Sequence, residues 1–352
     1  VPTPPFTKEE YWPLGKVAFS LLPLAGTSTS RATEEECIVP NTIWTHDQIQ
    51  GIVNVNVPVR QTVVKLSTGG LWVYNPVAPT PQLLKMMQTL IDQHGPVKHI
   101  VLGTVALEHK ATFGAFSLNY PNATVWIQPG QWSFPAGVPI EFNGLPQRGS
   151  RLREIPVPGV AATKPQYRYQ ANRHPVPEWA TDFEYQVLGP FQFRSVGGFS
   201  ETAFFHKSTK TLIVTDTVVS VTADAPPIIQ QDPRALIYHA RDFASEHILQ
   251  DTPAVRQKGW RRMVQFGLVF FPSQIEVTTP LYRDNQLIPK KLRNLGEGAI
   301  PGGASKSYTT PARSTGRKHL TSVDMTCPAT ISFRSAIGGT SGSKKGMLFN
   351  LI

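Results

Sequence analysis

The sequence predicts an α/β (α+β) chain folded as a four-layer αββα sandwich. Two stretches carry that prediction. From Gln61 to Gln128 the pattern reads hairpin, helix, strand, helix, strand. From Asp182 the chain turns strand-rich and carries a second hairpin, again followed by a strand that ends in a polar loop. Two such halves, facing each other with helices outside, bury both sheets in one core.

The elements follow in order. Residues 1–45 are Pro-rich, with Glu34, Glu35 and Glu36 at their acidic end, and read as an irregular N-terminal arm wrapping a body that spans 46–295. VNVNVPV, Val53 to Val59, alternates like a strand with Pro58 near its end. Gln61–Leu66 and Leu71–Asn75 flank Ser67-Thr68-Gly69-Gly70, a hairpin signature. Thr80 and Pro81 suit an N-cap and the first helical position, and Leu83, Leu84, Met87, Leu90 and Ile91 share one face. Gly95-Pro96 ends that helix. Val97–Leu102 is an apolar strand, a short helical piece lies near Phe113–Asn119, and ATVWIQ (Ala123–Gln128) is another strand. Arg153–Val157, Phe183–Leu188, Phe191–Val196, Thr202–His206 and Thr211–Thr215 complete the strands. Pro233–Leu249 and Ala254–Phe270 read as helices. Residues 296–352 become rich in Gly, Ser, Thr, Lys and Arg and are expected to pack poorly.

Composition narrows the function classes. The chain has 352 residues and a net charge of +10, with 32 Pro and 27 Gly that point to many turns. Seven Lys/Arg between Gly296 and Lys345 face only Glu297 and Asp324, so much of the excess is peripheral. Aromatic and basic residues do not interleave as base-stacking surfaces do, so no strong nucleic-acid signal is present. No apolar run approaches the roughly 18 residues needed to span a bilayer; Ser20 and Pro23 interrupt Val17–Ala25. Cys37 and Cys327 form no CxxC and read as free thiols. The chain begins at Val1, which reads as a processed form or a fragment.

The stretch around which the rest is organised is GPVKHIVLGTVALEH, Gly95 to His109. Its strand ends in the polar cluster Thr104–His109, and ligands usually sit past the carboxyl ends of strands in open α/β sheets. DQIQGIVNVNVPVRQTVVKL, GGLWVYNPVAPTP, ALEHKATFGAF, NATVWIQPGQWSFP and FSETAFFHKSTKTLIVTD resemble the domain-of-unknown-function family 4336 of plants, algae and cyanobacteria. That family is distantly similar to the metallo-β-lactamase superfamily. The resemblance covers about Asp47 to Phe271. It implies that superfamily's sandwich fold, a chloroplast or plastid setting, and thylakoid or other plastid proteins as partners. No activity comes with the family name.

The superfamily's metal loop, H-x-H-x-D-H, falls on Thr104–His109. Thr104 and Ala106 stand where the first two His would be, Glu108 replaces Asp, and His109 is retained. A later His falls on Phe199, and the bridging Asp on Asp216. The resemblance therefore implies one emptied metal position, lined by Thr, Ala and Phe, and a second reduced to Glu108, His109 and Asp216. His319, in TGRKHLTS, does not read as a fourth ligand. Two carboxylates and one His suit zinc, iron or manganese. The alternative is a cluster without metal, in which His109 is hydrogen-bonded by Glu108, Asp216 or nearby backbone and merely organises the loop. The expectation is a degenerate site and a binding or scaffold role without two-metal hydrolysis. The competing reading is a single-metal or metal-free hydrolase or lyase using Glu108, His109 and Asp216. His206-Lys207 reads as a surface pair beside a hairpin turn, and His239 and His247 as parts of an exposed helical face. Trp126, Trp132 and Phe134 read as loop-to-core packing, with a ligand pocket as the alternative.

Overall fold

The computed structural model describes residues 7–12, 31–52, 55–131, 151–157, 176–193, 197–247, 249–268 and 286–287. A seven-stranded sheet runs β1 (Glu34–Val39), β2 (Ile43–Ile52), β3 (Val55–Lys65), β4 (Leu71–Tyr74), β5 (Val97–Leu102), β6 (Thr124–Ile127) and β7 (Leu152–Glu154) in spatial order. Its first four strands pair antiparallel and its last four parallel. The crossovers are α1 (Pro81–His94) and α2 (Leu107–Leu118). A second sheet joins β8 (Phe183–Phe193), β9 (Gly197–His206) and β10 (Thr211–Ile213), all antiparallel. Val219–Ser220 (β11) pairs with Gln286–Leu287 (β12). Short α3 (Pro227–Gln230), α4 (Arg234–Ala240) and α5 (Pro253–Leu268) follow the second sheet.

Strand alternation explains the layering. In β4, β5 and β6, the residues Leu71, Val73, Ile100, Leu102, Val125 and Ile127 point to one face. They pack on Leu83, Met87 and Leu90 of α1 and on Phe113 and Phe116 of α2. Their neighbours Trp72, Tyr74, Val101 and Trp126 point to the other face and meet Phe183, Phe204 and Ile213 of the second sheet, with Trp179 from the turn before β8. Both faces are buried, which is why these strands read as continuous apolar runs. Helices α3, α4 and α5 gather around Ile229, Leu236, Trp260 and Met263 and seat on Ile49 of β2. Ile49 shares the strand face of Ile43, which points to the second sheet, so this helix layer stands on that side. The architecture is the αββα sandwich.

The N-cap of α1 is Thr80, whose hydroxyl accepts the Leu83 N–H at 3.2 Å, and Pro81 follows. Gly95, at φ +97°, closes the helix.

Several expectations need correction. Residues 34–39, assigned to an irregular arm, form edge strand β1, because Glu34–Val39 finds a ten-residue partner in β2. Strand β2 gave no apolar period: His46, Gln48 and Gln50 are buried and bond instead to Glu35, Gln61, Thr33, Ala78 and the Glu108 carbonyl. Phe183–Leu188 and Phe191–Val196 are not two strands; β8 runs through a bulge at Gly189, whose φ is +94°. The helix expected over Pro233–Leu249 stops at Ala240. His206 is not a surface residue: it is buried, and its Nδ1 bonds Thr209 at 2.7 Å. The tail 296–352, with Cys327 and His319, lies outside the described residues, as do Val17–Ala25, Trp132 and Phe134. Among the described residues, no helix is long and apolar enough to cross a membrane.

One buried titratable group gives the fold a pH signature. His99 of β5 is buried, and its Nδ1 accepts the Trp126 indole N–H at 3.3 Å. Burial lowers its pKa to about 4; Lys98 and Arg153 push the same way and the Glu178 carboxylate opposes. A base depressed when folded contributes stability above its ordinary value near 6.5 and loses it as pH falls towards 4. Stability should therefore drop by about 3 kcal/mol across that window. Urea titrations at stepped pH measure it. A profile unchanged in His99→Gln would assign the drop elsewhere.

Candidate metal centre

Two loops meet at one edge of the sandwich, and strand β9 lies between them. The first leaves β5. Gly103 passes so close to Tyr74 that a Cβ there would lie 2.2 Å from the ring, and its N–H donates to Asn75 Oδ1 at 2.9 Å. The loop then pairs with β9: Thr202 N–H donates to the Gly103 carbonyl at 2.7 Å, Thr104 bridges Glu201, and Val105 N–H donates to the Ser200 carbonyl at 3.1 Å. It enters α2 directly, so Glu108 and His109 fall in the first helical turn. This stretch was expected to be loop, with helix only near Phe113. The charged run Glu108-His109-Lys110 masked six helical residues before Phe113.

The second loop leaves β10. Thr215 Oγ1 contacts the Tyr74 hydroxyl at 2.7 Å and accepts from Asn75 Nδ2 at 2.7 Å. The Glu201 carboxylate, fully buried, accepts the backbone N–H groups of Thr215, Asp216 and Thr217, the last two at 2.9 Å. The outcome is convergence: ligating atoms of Glu108, His109 and Asp216 all lie within 4.8 Å of one another. His109 is buried, and the two carboxylates are half-buried.

The electrostatics follow from that enclosure. Burial, then the charges of Glu108 and Glu201, hold the Asp216 carboxyl well above its ordinary range. Burial lowers the pKa of His109 although Glu108 pulls it up, so the ring is neutral near pH 7. Burial also brings the neighbouring Lys110 down to about 8 against the pull of Glu108. Among the described residues, no hydrogen bond runs to the His109 ring from Glu108, Asp216 or backbone, and its ring shares the cluster with both carboxylates.

The chain matches the family model described as a domain of unknown function, DUF4336, over residues 40–299. It belongs to that family. No curated protein matches the chain. Among solved structures, a metallo-β-lactamase from Pontibacter korlensis is similar at 14% identity and a TM-score of 0.35, over 69% of this chain and 88% of that one. The metallo-β-lactamase FIM-1 from Pseudomonas aeruginosa, in its mono-zinc form, is similar at 9% identity and a TM-score of 0.32, over 66% and 95%. A metal-soaked flavodiiron core from Synechocystis sp. is similar at 12% and 0.34, over 76% and 60%.

In this DUF4336 member the residues that the resemblance set against metal-binding His have local uses. Thr104 is fully buried and its hydroxyl accepts the Ala106 N–H at 3.1 Å. Phe199 is half-buried in β9. Trp126 is core: buried, edge-on to Trp179 and bonded to His99. His239 is half-buried and His247 exposed; neither approaches the cluster. Cys37 is a free, exposed thiol. Glu201 and Asn75, which tie the two loops together, were missed. Their partners lie 14–16 and 28–140 residues away, and no local pattern encodes such a pairing.

Proposed function

We propose that this protein holds one divalent cation (zinc, iron or manganese) at Glu108, His109 and Asp216, and serves as a binding or scaffold protein without two-metal hydrolysis. The observation that supports this is the convergence of three ligand atoms within 4.8 Å around a buried ring to which no hydrogen bond is drawn among the described residues. A neutral imidazole and two carboxylates supply the nitrogen and oxygen donors those ions accept. Thr104, Ala106 and Phe199 offer no imidazole for a second ion, which leaves no pair of metals to clamp a water.

Three protein ligands leave a coordination position open, as in catalytic rather than structural zinc sites. That feature favours a second reading, a single-metal hydrolase or lyase using the same three residues. The resemblance to plant, algal and cyanobacterial sequences supports a plastid location with thylakoid or other plastid partners. Recovery of the tagged protein in the chloroplast fraction is the outcome that reading expects.

The test is direct. Metal-stripped protein dialysed against zinc, manganese or ferrous iron should retain about one ion per chain, and Glu108→Ala under about a tenth of that. No retention by wild type would sink the proposal. Ester or thioester turnover by loaded wild type, absent from Glu108→Ala, would promote the second reading.

A further inference from the structure

We propose that Glu201 is the positioning residue of the cluster, setting the Asp216 loop against the Glu108–His109 turn at the spacing one shared cation needs. The inference rests on the one-cation reading and says how that site is held.

Glu201 touches both loops at once. Its backbone bridges Thr104, and its neighbours Ser200 and Thr202 pair with Val105 and Gly103, so β9 fixes the segment leading into α2. Its side chain works on the other loop. One carboxylate oxygen accepts from Thr215, and the other from Asp216 and Thr217. Three successive N–H groups aimed at one anion fix the backbone on both sides of Asp216. The direction of that side chain is thereby set before any ion arrives. Preorganisation of this kind is what supporting residues supply to metal ligands.

The chemistry calls for a carboxylate. The site presents three donors, and only an acceptor-only group with two oxygens answers all of them. A Gln of the same shape would turn an NH2 group towards one or more of those N–H groups. Glu201 is not part of the converging ligand group, and both of its oxygens accept from the Asp216 loop instead. Asn75 ties the same two loops from the other side, but only through Thr215 Oγ1 and the Gly103 N–H, neither of which belongs to Asp216.

The experiment compares wild type with Glu201→Gln by zinc and manganese titration far below the melting temperature, together with amide hydrogen exchange. With folding verified by circular dichroism, Glu201→Gln should bind either ion about 10- to 100-fold more weakly, the usual loss when a supporting residue is removed. Exchange should accelerate at Thr215–Thr217 and stay unchanged across Leu107–Leu118. A merely structural role would lower the melting temperature and leave the ion affinity of the folded protein as it was. Equal affinity in the two proteins would overturn the inference while leaving the one-cation reading intact. No binding by wild type would bring down both. If Glu201→Gln fails to fold, Glu201→Asp decides in the same way, since it keeps the charge but withdraws it by one methylene.

Discussion

Truncating Phe204 to Ala should cost about 3–5 kcal/mol, the range for deleting a large aromatic side chain from a close-packed core. Phe204 sits in β9 and is fully buried. Its ring lies 5.0–6.0 Å from those of Trp72, Tyr74, Trp179, Phe183 and Tyr185, mostly edge to face. Trp72 and Tyr74 belong to the seven-stranded sheet, whereas Phe183 and Tyr185 belong to the three-stranded one. The ring therefore joins the two sheets, and its loss opens a void that neither sheet can fill alone. Aromatic pairs add roughly 0.5–1.5 kcal/mol beyond buried area, so the upper half of the range is expected. Phe243→Ala is the control: that ring is 74% exposed and its removal should change little. Denaturant unfolding of both variants measures the difference. A loss below about 1 kcal/mol at Phe204 would mean that the sheets do not share this core.

Strands β4, β5 and β6 and helix α1 were legible because local and tertiary demands agree there. Each strand is apolar on both faces because each face has a layer to meet, and Thr80-Pro81 with Gly95-Pro96 marks the helix ends independently of packing. Strand β2 failed for the opposite reason. His46, Gln48 and Gln50 satisfy their polar groups through partners distant in sequence, so a buried strand carries a surface-like composition. Helix α2 was shortened because Glu108, His109 and Lys110 look solvated, although His109 and Lys110 are buried. His206 was misjudged likewise, since Thr209 supplies a partner inside the hairpin.

The three candidate ligands could be named from the aligned motif positions, but not the machinery that aims them. Glu108 and His109 are adjacent in sequence and share a helical turn, so two of the three ligands are local. Asp216 is held by Glu201, and the adjacent Thr215 by Asn75 and Tyr74, all distant in sequence. Of these, Asn75 adopts a left-handed φ of +46° at the end of β4. An Asn just past a strand end is compatible with that conformation, a faint signal that points to a turn rather than to a site.

The most discriminating stability result should be a crossover at Asp216. With chelator present, Asp216→Asn should be more stable than wild type near pH 8. With saturating zinc or manganese it should be less stable. The sign follows from the direction of the shift. Burial and the neighbouring carboxylates raise the Asp216 carboxyl when folded. An acid raised in this way contributes its stability fully below its unfolded value, near 3.8, and loses it as pH rises through the folded value. At pH 8, far above the unfolded value, the chelated wild type bears the cost of that raised carboxyl beside the charges of Glu108 and Glu201, and the amide does not. A bound ion reverses the balance by neutralising that charge. At a free concentration of 100–1,000 times its dissociation constant it stabilises the folded state by about 2.7–4.1 kcal/mol. Because the ion and the proton compete for Asp216, and His109 must be neutral to serve as a ligand, this contribution should shrink as pH falls. Thermal unfolding of both proteins at pH 5, 6.5 and 8, with ion or with chelator, reads all of it. If the wild type melts at the same temperature with ion and with chelator at every pH, the cluster holds no cation, and the raised Asp216 carboxyl is only a burden on the fold.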